Sequence, residues 1–594
     1  MNDQKVKEKP EELIRAQQLI DDAKVNEAHD LLNNFEKKEG LTLHDKVLSH
    51  LLRTVLLLQQ GRHKEVLMLA EETYDMSLGL GKNLISVDAL RWMAGSLIWL
   101  NRWDKAFNII KQGEELLKTL PQELPAEYKQ REASIALVKG FFYLNKGDAD
   151  RALEHLEHTL ALQEELGIKH EIALSLSLMA LTLCRYKGEL DRALKYAERS
   201  LALAKESTKK YYIATSLNIL ALIYSRQGEL DRALEHYEHS LALREEFNNK
   251  TFMASIFNDL SIIYKMRGEL DRALEFIEQA MALNRELGGL KALANNHDFL
   301  IQILIDKGDL ERAHIFLHDL EQLNSQLKDK QINLIYLFDK ALVLKTSYRS
   351  RDRGKAEEIF NQLLEDKDLG YKLTIGTLLN LCELLLTELR ITNDLEVLDE
   401  LNQFIARLLD ITAKSYWELC EMYLLQAKLS LLTFNIKKSQ RFLTQAYQIA
   451  ERFDLTQLTG KISNEKEDLL TKLDLWEKLK ESGAPMSDRM ELARLDEKVL
   501  KLIQKRTIFT VQVSEEKITV SKEKKICLVC RGEVLKFSYI CECGVIYCEN
   551  CARALTNLEN VCWACEVPID SLKPVKQFKE EAERIKVQEK SKKK

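Results

Sequence analysis

Apolar side chains recur every third or fourth position through most of this chain, the period of an amphipathic helix. SLNILALIYSRQ, residues 216–227, is one such stretch, and Gly228 follows it. After that glycine come an acid and a second amphipathic stretch. The same run returns along the chain: GDADRALEHLEHTLALQEE from Gly147, GELDRALKYAERSLALAKE from Gly188, GELDRALEHYEHSLALREE from Gly228, GELDRALEFIEQAMALNRE from Gly268 and GDLERAHIFLHDLEQL from Gly308. These glycines stand 41, 40, 40 and 40 residues apart. Self-similarity at such a period predicts an all-α solenoid, in which each helix pair buries its apolar face only against its neighbours.

The physics of one unit is readable. The glycine can adopt the left-handed conformation that closes the first helix. The acid that follows is Asp148 or Asp309 in two units and Glu189, Glu229 or Glu269 in three. An aspartate caps a helix N-terminus well, and either acid suits the positive end of the next helix dipole. Ala193, Ala233, Ala273 and Ala313 share one position of the second helix, where a small side chain lets helices approach closely. Weaker units extend both ways, near Ala28, from Gly61 and from Asn101, then around Ala356, Val397 and Ser439. The longer gap from Asn101 to Gly147 holds Pro121 and Pro125 and predicts a longer turn. The array so read covers residues 13–460 after an N-terminal tail of 1–12. It has about eleven units and is clearest over 147–325.

Composition narrows the class. Of 594 residues, 30% are charged and 45% hydrophobic, with a net charge of −6. That balance argues against a whole-chain nucleic-acid or membrane role. The start has no apolar signal-peptide core and no run is long and apolar enough to span a bilayer, so the expected location is cytoplasmic. In a reducing compartment, clustered cysteines favour metal over disulfides. The pairs His155/His158 and His236/His239 lack thiol or carboxylate partners and read as exposed helix faces. The GLGK at 79–82 lacks the remaining residues of a phosphate loop. No Ser-His-Asp order, paired-carboxylate motif or dinucleotide fingerprint stands out. Cys184, Cys382 and Cys420 fall singly in helical patterns, where buried packing is the default.

The repeat resembles the tetratricopeptide repeat (TPR), in its longer 40-residue form. Phe257, Leu260, Ser261 and Tyr264 fill the first four signature places of one unit, and Leu217, Leu220, Ala221 and Tyr224 those of the unit before. The resemblance implies a superhelix whose first helices line a concave groove. It places Asn218, Asn258 and Asp298 along that groove, with Lys265, Arg226 and Arg185 flanking it. It also implies that the groove binds a protein or an extended peptide. An amide both donates and accepts, so an asparagine ladder reads peptide backbone rather than side chains.

Beyond the array, residues 461–506 read as capping helices, with one helix over 463–483 and another from 486 capped by Ser487. Period-two alternation over 507–525 predicts a β-hairpin or linker. Then eight cysteines follow in the pattern C-x2-C-x10-C-x-C-x4-C-x2-C-x10-C-x2-C over 526–570. Eight thiolates make two tetrahedral zinc sites with none left over. So short a segment buries little core, and metal would supply about 10 kcal/mol of folding energy per site. CENCARALTNLE reads as a helix beginning at a cysteine pair. A CLVC knuckle plus such a pair resembles a treble clef, which assigns Cys527, Cys530, Cys548 and Cys551 to one zinc. Cys541, Cys543, Cys562 and Cys565 then take the other, and Val545, Ile546 and Tyr547 form a strand between them. Nearby cations from Lys522 to Arg553 can offset the thiolate charge. The basic tail, 571–594, reads as solvated.

The order of these cysteines resembles an all-cysteine RING finger, which implies a cross-braced α+β zinc domain. In that family an apolar groove recruits a ubiquitin-conjugating enzyme, and Val529 and Trp563 stand at the contact positions. Trp563 replaces a usual proline, and Glu566 replaces the cation that many ligases place after the last cysteine. A glutamate cannot donate the hydrogen bonds an arginine gives. The leading reading is therefore a non-catalytic adaptor, with a groove for a protein client and a zinc module as a second docking surface. The alternative is a RING-type ubiquitin ligase whose solenoid selects substrate. A regulator of a nucleic-acid process ranks third, because the module lacks a dense basic-aromatic face.

Overall fold

The structure is a computed structural model and describes residues 9–81, 83–119, 125–187, 189–412, 416–452, 456–495, 527–530, 534, 537–541, 543, 545–568 and 575–576. The chain divides into two compact units, one holding the described residues up to Thr377 and one those from Leu378 onward. The described helices run from α1 (Glu11–Asp21) to α25 (Met486–Leu492), followed by α26 (Glu549–Leu558). None of the described helices is long and apolar enough to cross a membrane.

The first unit is a stack of helix pairs, α1 with α2 (Val25–Glu36) through α17 (Lys330–Lys345) with α18 (Ser350–Glu365). Most of these pairs turn on a left-handed corner, whereas the turn from Thr346 to Arg349 between α17 and α18 has no residue with positive φ. Gly228 has φ 83°, Gly268 81° and Gly308 81°. At each corner two amides close the helix end: Gly228 N–H donates to Ser225 O (3.1 Å) and Glu229 N–H to Tyr224 O (2.9 Å), the Schellman pattern. The same pair of bonds forms at Ala23, Asn101 and Phe434, which lack glycine yet hold φ near 60°. Packing between neighbouring pairs imposes the turn there. Asp148 and Asp309 accept from Arg151 N–H (3.1 Å) and Arg312 N–H (3.2 Å), whereas Glu189, Glu229 and Glu269 make no side-chain cap.

The one 41-residue spacing among the regular units has a visible cause. The helix before Gly188 runs from Lys169 to Lys187, fourteen α residues as α9 (Lys169–Thr182) and a five-residue π turn, Leu183–Lys187. Its counterparts α11 (Lys210–Gln227), α13 (Lys250–Arg267) and α15 (Leu290–Lys307) have eighteen residues and no π turn. The π turn absorbs the extra residue.

The core follows the repeat. Ala28, Ala106, Ala193, Ala233, Ala273 and Ala356 occupy the same place in their second helices and are fully buried. Where helices cross most closely, hydroxyls meet: Ser200 lies 2.9 Å from Ser177 and 2.7 Å from Ser216. A continuous apolar cluster runs from Leu144 to Val343.

The first helices also touch a turn far along the chain. Phe247, fully buried, joins Leu13, Leu32, Phe35, Leu52 and Leu56 in one cluster. Asn249 Nδ2 donates to Gln59 O (2.6 Å), and Trp99 meets Phe252 edge-on at 5.4 Å. Behind this contact Arg244 is buried between the rings of Tyr211 (4.6 Å) and Phe252 (4.3 Å).

The second unit continues the pairs with the later part of α19 (Tyr371–Thr392), α20 (Leu395–Thr412), α21 (Tyr416–Leu432) and α22 (Ile436–Arg452). Then follow α23 (Thr456–Thr471), α24 (Leu473–Glu481) and α25. The expected single helix over 463–483 is interrupted at Lys472, between α23 and α24. Ser487 does not cap α25. The helix starts at Met486 behind Pro485, so Ser487 lies within its first turn. That helix ends at Leu492, where Arg494 turns left-handed at φ 50°. Trp476, Met486 and Met490 are buried, and Arg489 Nη1 donates to Leu432 O (3.0 Å), so these helices cover the last pair. The expected hairpin at 507–525 lies outside the described residues, as does most of the basic tail.

The cysteine module is α+β. Its sheet has the order β2–β1–β3, with β1 (Phe537–Ile540) antiparallel to both β2 (Ile546–Cys548) and β3 (Val575–Lys576). Helix α26 starts directly after Cys548.

Candidate functional site: two cysteine clusters and an amide-lined cavity

The module's fold brings the thiols together in two groups of four. Cys527, Cys530, Cys548 and Cys551 form one, and Cys541, Cys543, Cys562 and Cys565 the other, with all sulfurs of a group within 4.8 Å of one another. The knuckle Cys527–Cys530 faces the strand end and first turn of α26, which supply Cys548 and Cys551. The second group joins the β1–β2 turn to the loop after α26. Each segment is closed on itself by a backbone bond, Cys541 N–H to Val545 O (2.9 Å) in the turn and Cys562 N–H to Val567 O (2.8 Å) in the loop.

These groups fit a tetrahedral metal. Zinc–thiolate bonds put neighbouring sulfurs about 3.8 Å apart. Cys530 and Cys548 lie 3.7 Å apart, as do Cys543 and Cys562. None of the eight forms a disulfide. Donors also point at the sulfurs: Cys548 N–H at Cys527 Sγ (3.3 Å), Ala564 N–H at Cys562 Sγ (3.4 Å), and Tyr547 Oη lies 3.0 Å from Cys562 Sγ. Such bonds favour thiolate, the form that binds metal. The four-cysteine groups can therefore hold two metal ions. Neither histidine pair belongs to them. His155 stacks on Tyr143 (5.5 Å) and His236 on Tyr224 (5.4 Å).

The module rests on α22 of the same unit. Arg441 Nε and Nη2 donate to one carboxylate oxygen of Glu559 (2.8 and 2.6 Å), at the end of α26. Val529, expected at a conjugating-enzyme contact, is fully buried. Trp563 is half-buried, with its backbone N–H donating to Tyr547 Oη (3.1 Å).

The first unit holds a second candidate site. A cavity of about 590 Å³ lies among α13, α15, α17 and the start of α19, with Trp99 on its rim. Its polar wall is a chain of amides: Asn284 Nδ2 donates to Asn296 Oδ1 (2.7 Å) and Asn296 Nδ2 to Asn258 Oδ1 (3.3 Å). At its floor Asp298 pairs with Lys372 Nζ (3.1 Å), whose ammonium also lies 4.2 Å from the Phe299 ring centre. Gln302 donates to the other oxygen of Asp298. Lys265 is buried and pairs with Asp306 (3.3 Å); burial lowers its pKa and Asp306 partly restores it. Asp339 is fully buried beside Asp298. No donor reaches either Asp339 oxygen. Burial first, and Asp298 second, push its carboxyl well above the ordinary value.

Of the expected groove residues, the structure brings Asn258 and Asp298 into this cavity. Lys265 is no free flank, being buried in its ion pair. Asn218 and Arg226 lie outside the cavity lining, and Arg226 donates to Cys184 O across neighbouring helices. Asn284, Asn296 and Lys372 were not anticipated. The polar run Asn295-Asn296-His297-Asp298 in the middle of α15 was the available signal. Nothing local marked Lys372.

Stacked helix pairs of this size with left-handed glycine corners define a TPR solenoid. Residues 133–453 match the MalT-like TPR region, and the chain belongs to that family. Solved structures with a similar fold include the quorum sensor NprR from B. thuringiensis, 15% identical, with 61% of this chain and 99% of that one covered and a TM-score of 0.44. Aspartyl phosphate phosphatase F from Bacillus subtilis is 16% identical, covers 61% of this chain and 94% of its own, and has a TM-score of 0.36. BtubC from P. vanneervenii is 20% identical over 38% of this chain and 92% of its own, with a TM-score of 0.34. No curated protein matches the chain.

Proposed function

We propose that this chain is a non-catalytic scaffold whose solenoid groove holds an extended segment of a partner protein. The observation that carries this is the amide chain Asn284–Asn296–Asn258 on the wall of an open cavity. Linked amides are held in place before a ligand arrives, so they can pair with peptide N–H and C=O groups at little further ordering cost. Membership of a TPR family supports a protein partner. The two four-cysteine groups hold zinc in this reading, and they form a rigid module with a second docking surface, on which Ile540 and Val567 are exposed.

Selection from a random peptide library on the full chain tests the groove, with the fluorescence of Trp99 at the rim as a readout. Enriched peptides should bind the Asn258→Ala and Asn296→Ala variants at least about tenfold more weakly, the loss of one to two hydrogen bonds. Peptides that bind both variants as well as wild type would place recognition elsewhere and sink the reading.

A further inference from the structure

The two cysteine groups differ in where their surroundings come from. Around Cys541, Cys543, Cys562 and Cys565 the polar partners are the module's own: Tyr547 Oη lies 3.0 Å from Cys562 Sγ and Ala564 N–H 3.4 Å from it. Cys543 of this group is exposed. Around Cys527, Cys530, Cys548 and Cys551, three of four residues are buried, and two side chains arrive from the solenoid. Arg452 Nη1 donates to Cys530 Sγ (3.4 Å), and the Cys551 thiol donates to Gln448 Oε1 (3.6 Å). Both belong to α22, more than seventy residues earlier in the chain. Arg441, on the same helix, grips Glu559 at 2.6 Å and approaches Glu566 at 3.7 Å.

We infer that the Cys527/Cys530/Cys548/Cys551 site is completed from outside the zinc module, with Arg452 and Gln448 as outer-shell positioning residues supplied by the last repeat. The inference rests on the zinc reading above. A tetrathiolate site carries excess negative charge, and a guanidinium at one sulfur offsets part of it while keeping the thiolate deprotonated. Gln448 can turn its amide N–H toward the thiolate once the thiol proton is gone. Arg441 fixes the docking that brings both into reach. The module and the solenoid end thus share one metal site, while the other site is self-contained.

The test uses the full chain loaded with zinc, with metal release to a chromogenic chelator followed in time. Wild type should release two zinc ions in two phases, and Cys543→Ser, which removes the exposed ligand, identifies the phase of the self-contained site. Arg452→Ala should accelerate only the other phase, by about 10-fold or more, the usual cost of an outer-shell partner. Arg452→Gln, which keeps a donor but not the charge, should fall between. Arg441→Ala should speed the same phase, and Tyr547→Phe the opposite one. With cobalt in place of zinc, Arg452→Ala should shift the thiolate charge-transfer band of one site and leave the other at its wild-type position. Circular dichroism checks that each variant stays folded, and Arg452→Gln serves if the alanine variant does not. Unchanged release and spectra in both Arg452 variants, with two zinc ions still bound, would overturn the inference alone. A wild-type chain that binds no zinc would overturn the zinc reading and this inference with it.

Discussion

A regular repeat and the cysteine module have nearly the same length and are held together in opposite ways. The repeat that opens at Gly228 buries Ala233, Tyr237, Leu260 and Ile263 almost completely, an apolar core to which Arg244 and Lys265 add two buried cations. The module buries Cys527, Cys530, Cys551 and Cys562 to a similar degree. Its apolar interior is limited to a few side chains such as Tyr547, Ala552 and Leu555. The repeat gains stability from neighbours above and below it, so its energy is distributed along the stack. The module has no such stack, and its energy is concentrated in two points. Damage should therefore spread gradually in the first and fall all at once in the second.

The strongest way to expose that difference is to remove metal. Chelation should cost the module about 10 kcal/mol per site, more than so small a core can replace. The module should then lose its fixed tertiary structure while the helices of the first unit keep theirs. Hydrogen exchange on the full chain reads both at once. Protection that persists at Tyr547 and Leu555 after chelation would show that packing, not metal, holds the module.

The two regions were also unequally legible. The corner glycines announced the pairs, because φ near 80° needs a residue without a side chain, and the odd spacing before Gly188 became a π turn. Eight cysteines with paired spacings announced their grouping because metal geometry is local and strict. What escaped notice was long-range. Asn249 reaches Gln59 across 190 residues, and neither position breaks the local pattern. Arg452 and Gln448 are ordinary polar residues on a helix until the module is folded against them. The burial of Val529 was not legible either, because a resemblance in cysteine order says nothing about which face of the module meets solvent.

The contact between the first helices and the distant turn is the place where the stack departs from nearest-neighbour coupling. Phe247→Ala should remove about 3–5 kcal/mol from the first unit, the usual cost of emptying a fully buried aromatic site. The loss should appear first as faster exchange at Leu52 and Leu56, the far side of the cluster. Gly61→Ala attacks the same contact more gently. Gly61 holds φ 73°, and an added Cβ would lie 2.8 Å from Asn249 Oδ1 and 3.0 Å from Thr251 Cβ. Left-handed strain alone costs about 1–2 kcal/mol. If denaturant unfolding shows Phe247→Ala within 1 kcal/mol of wild type, the repeats are coupled only to their neighbours and the comparison stands in its simplest form.

Asp339 gives the most specific break, because it is where a repeat surrenders apolar burial to an ionisable group. It faces Asp298, with Lys265 and Lys372 nearby. An acid whose folded pKa is raised holds its proton in the native state after the unfolded chain has released it. Stability contributed by that proton is fully present below the ordinary value of 3.8 and is lost as pH rises toward the raised folded value. Asp339→Asn keeps the shape and removes the titration. The variant should match wild type near pH 4 and gain on it by about 1.4 kcal/mol per pH unit above that, until the folded pKa is passed. Thermal unfolding of both chains from pH 4 to 8 reads the difference. A constant gap across that range would mean that Asp339 ionises normally in the folded chain, and that Lys265 and Lys372 together compensate Asp298, Asp306 and Asp339.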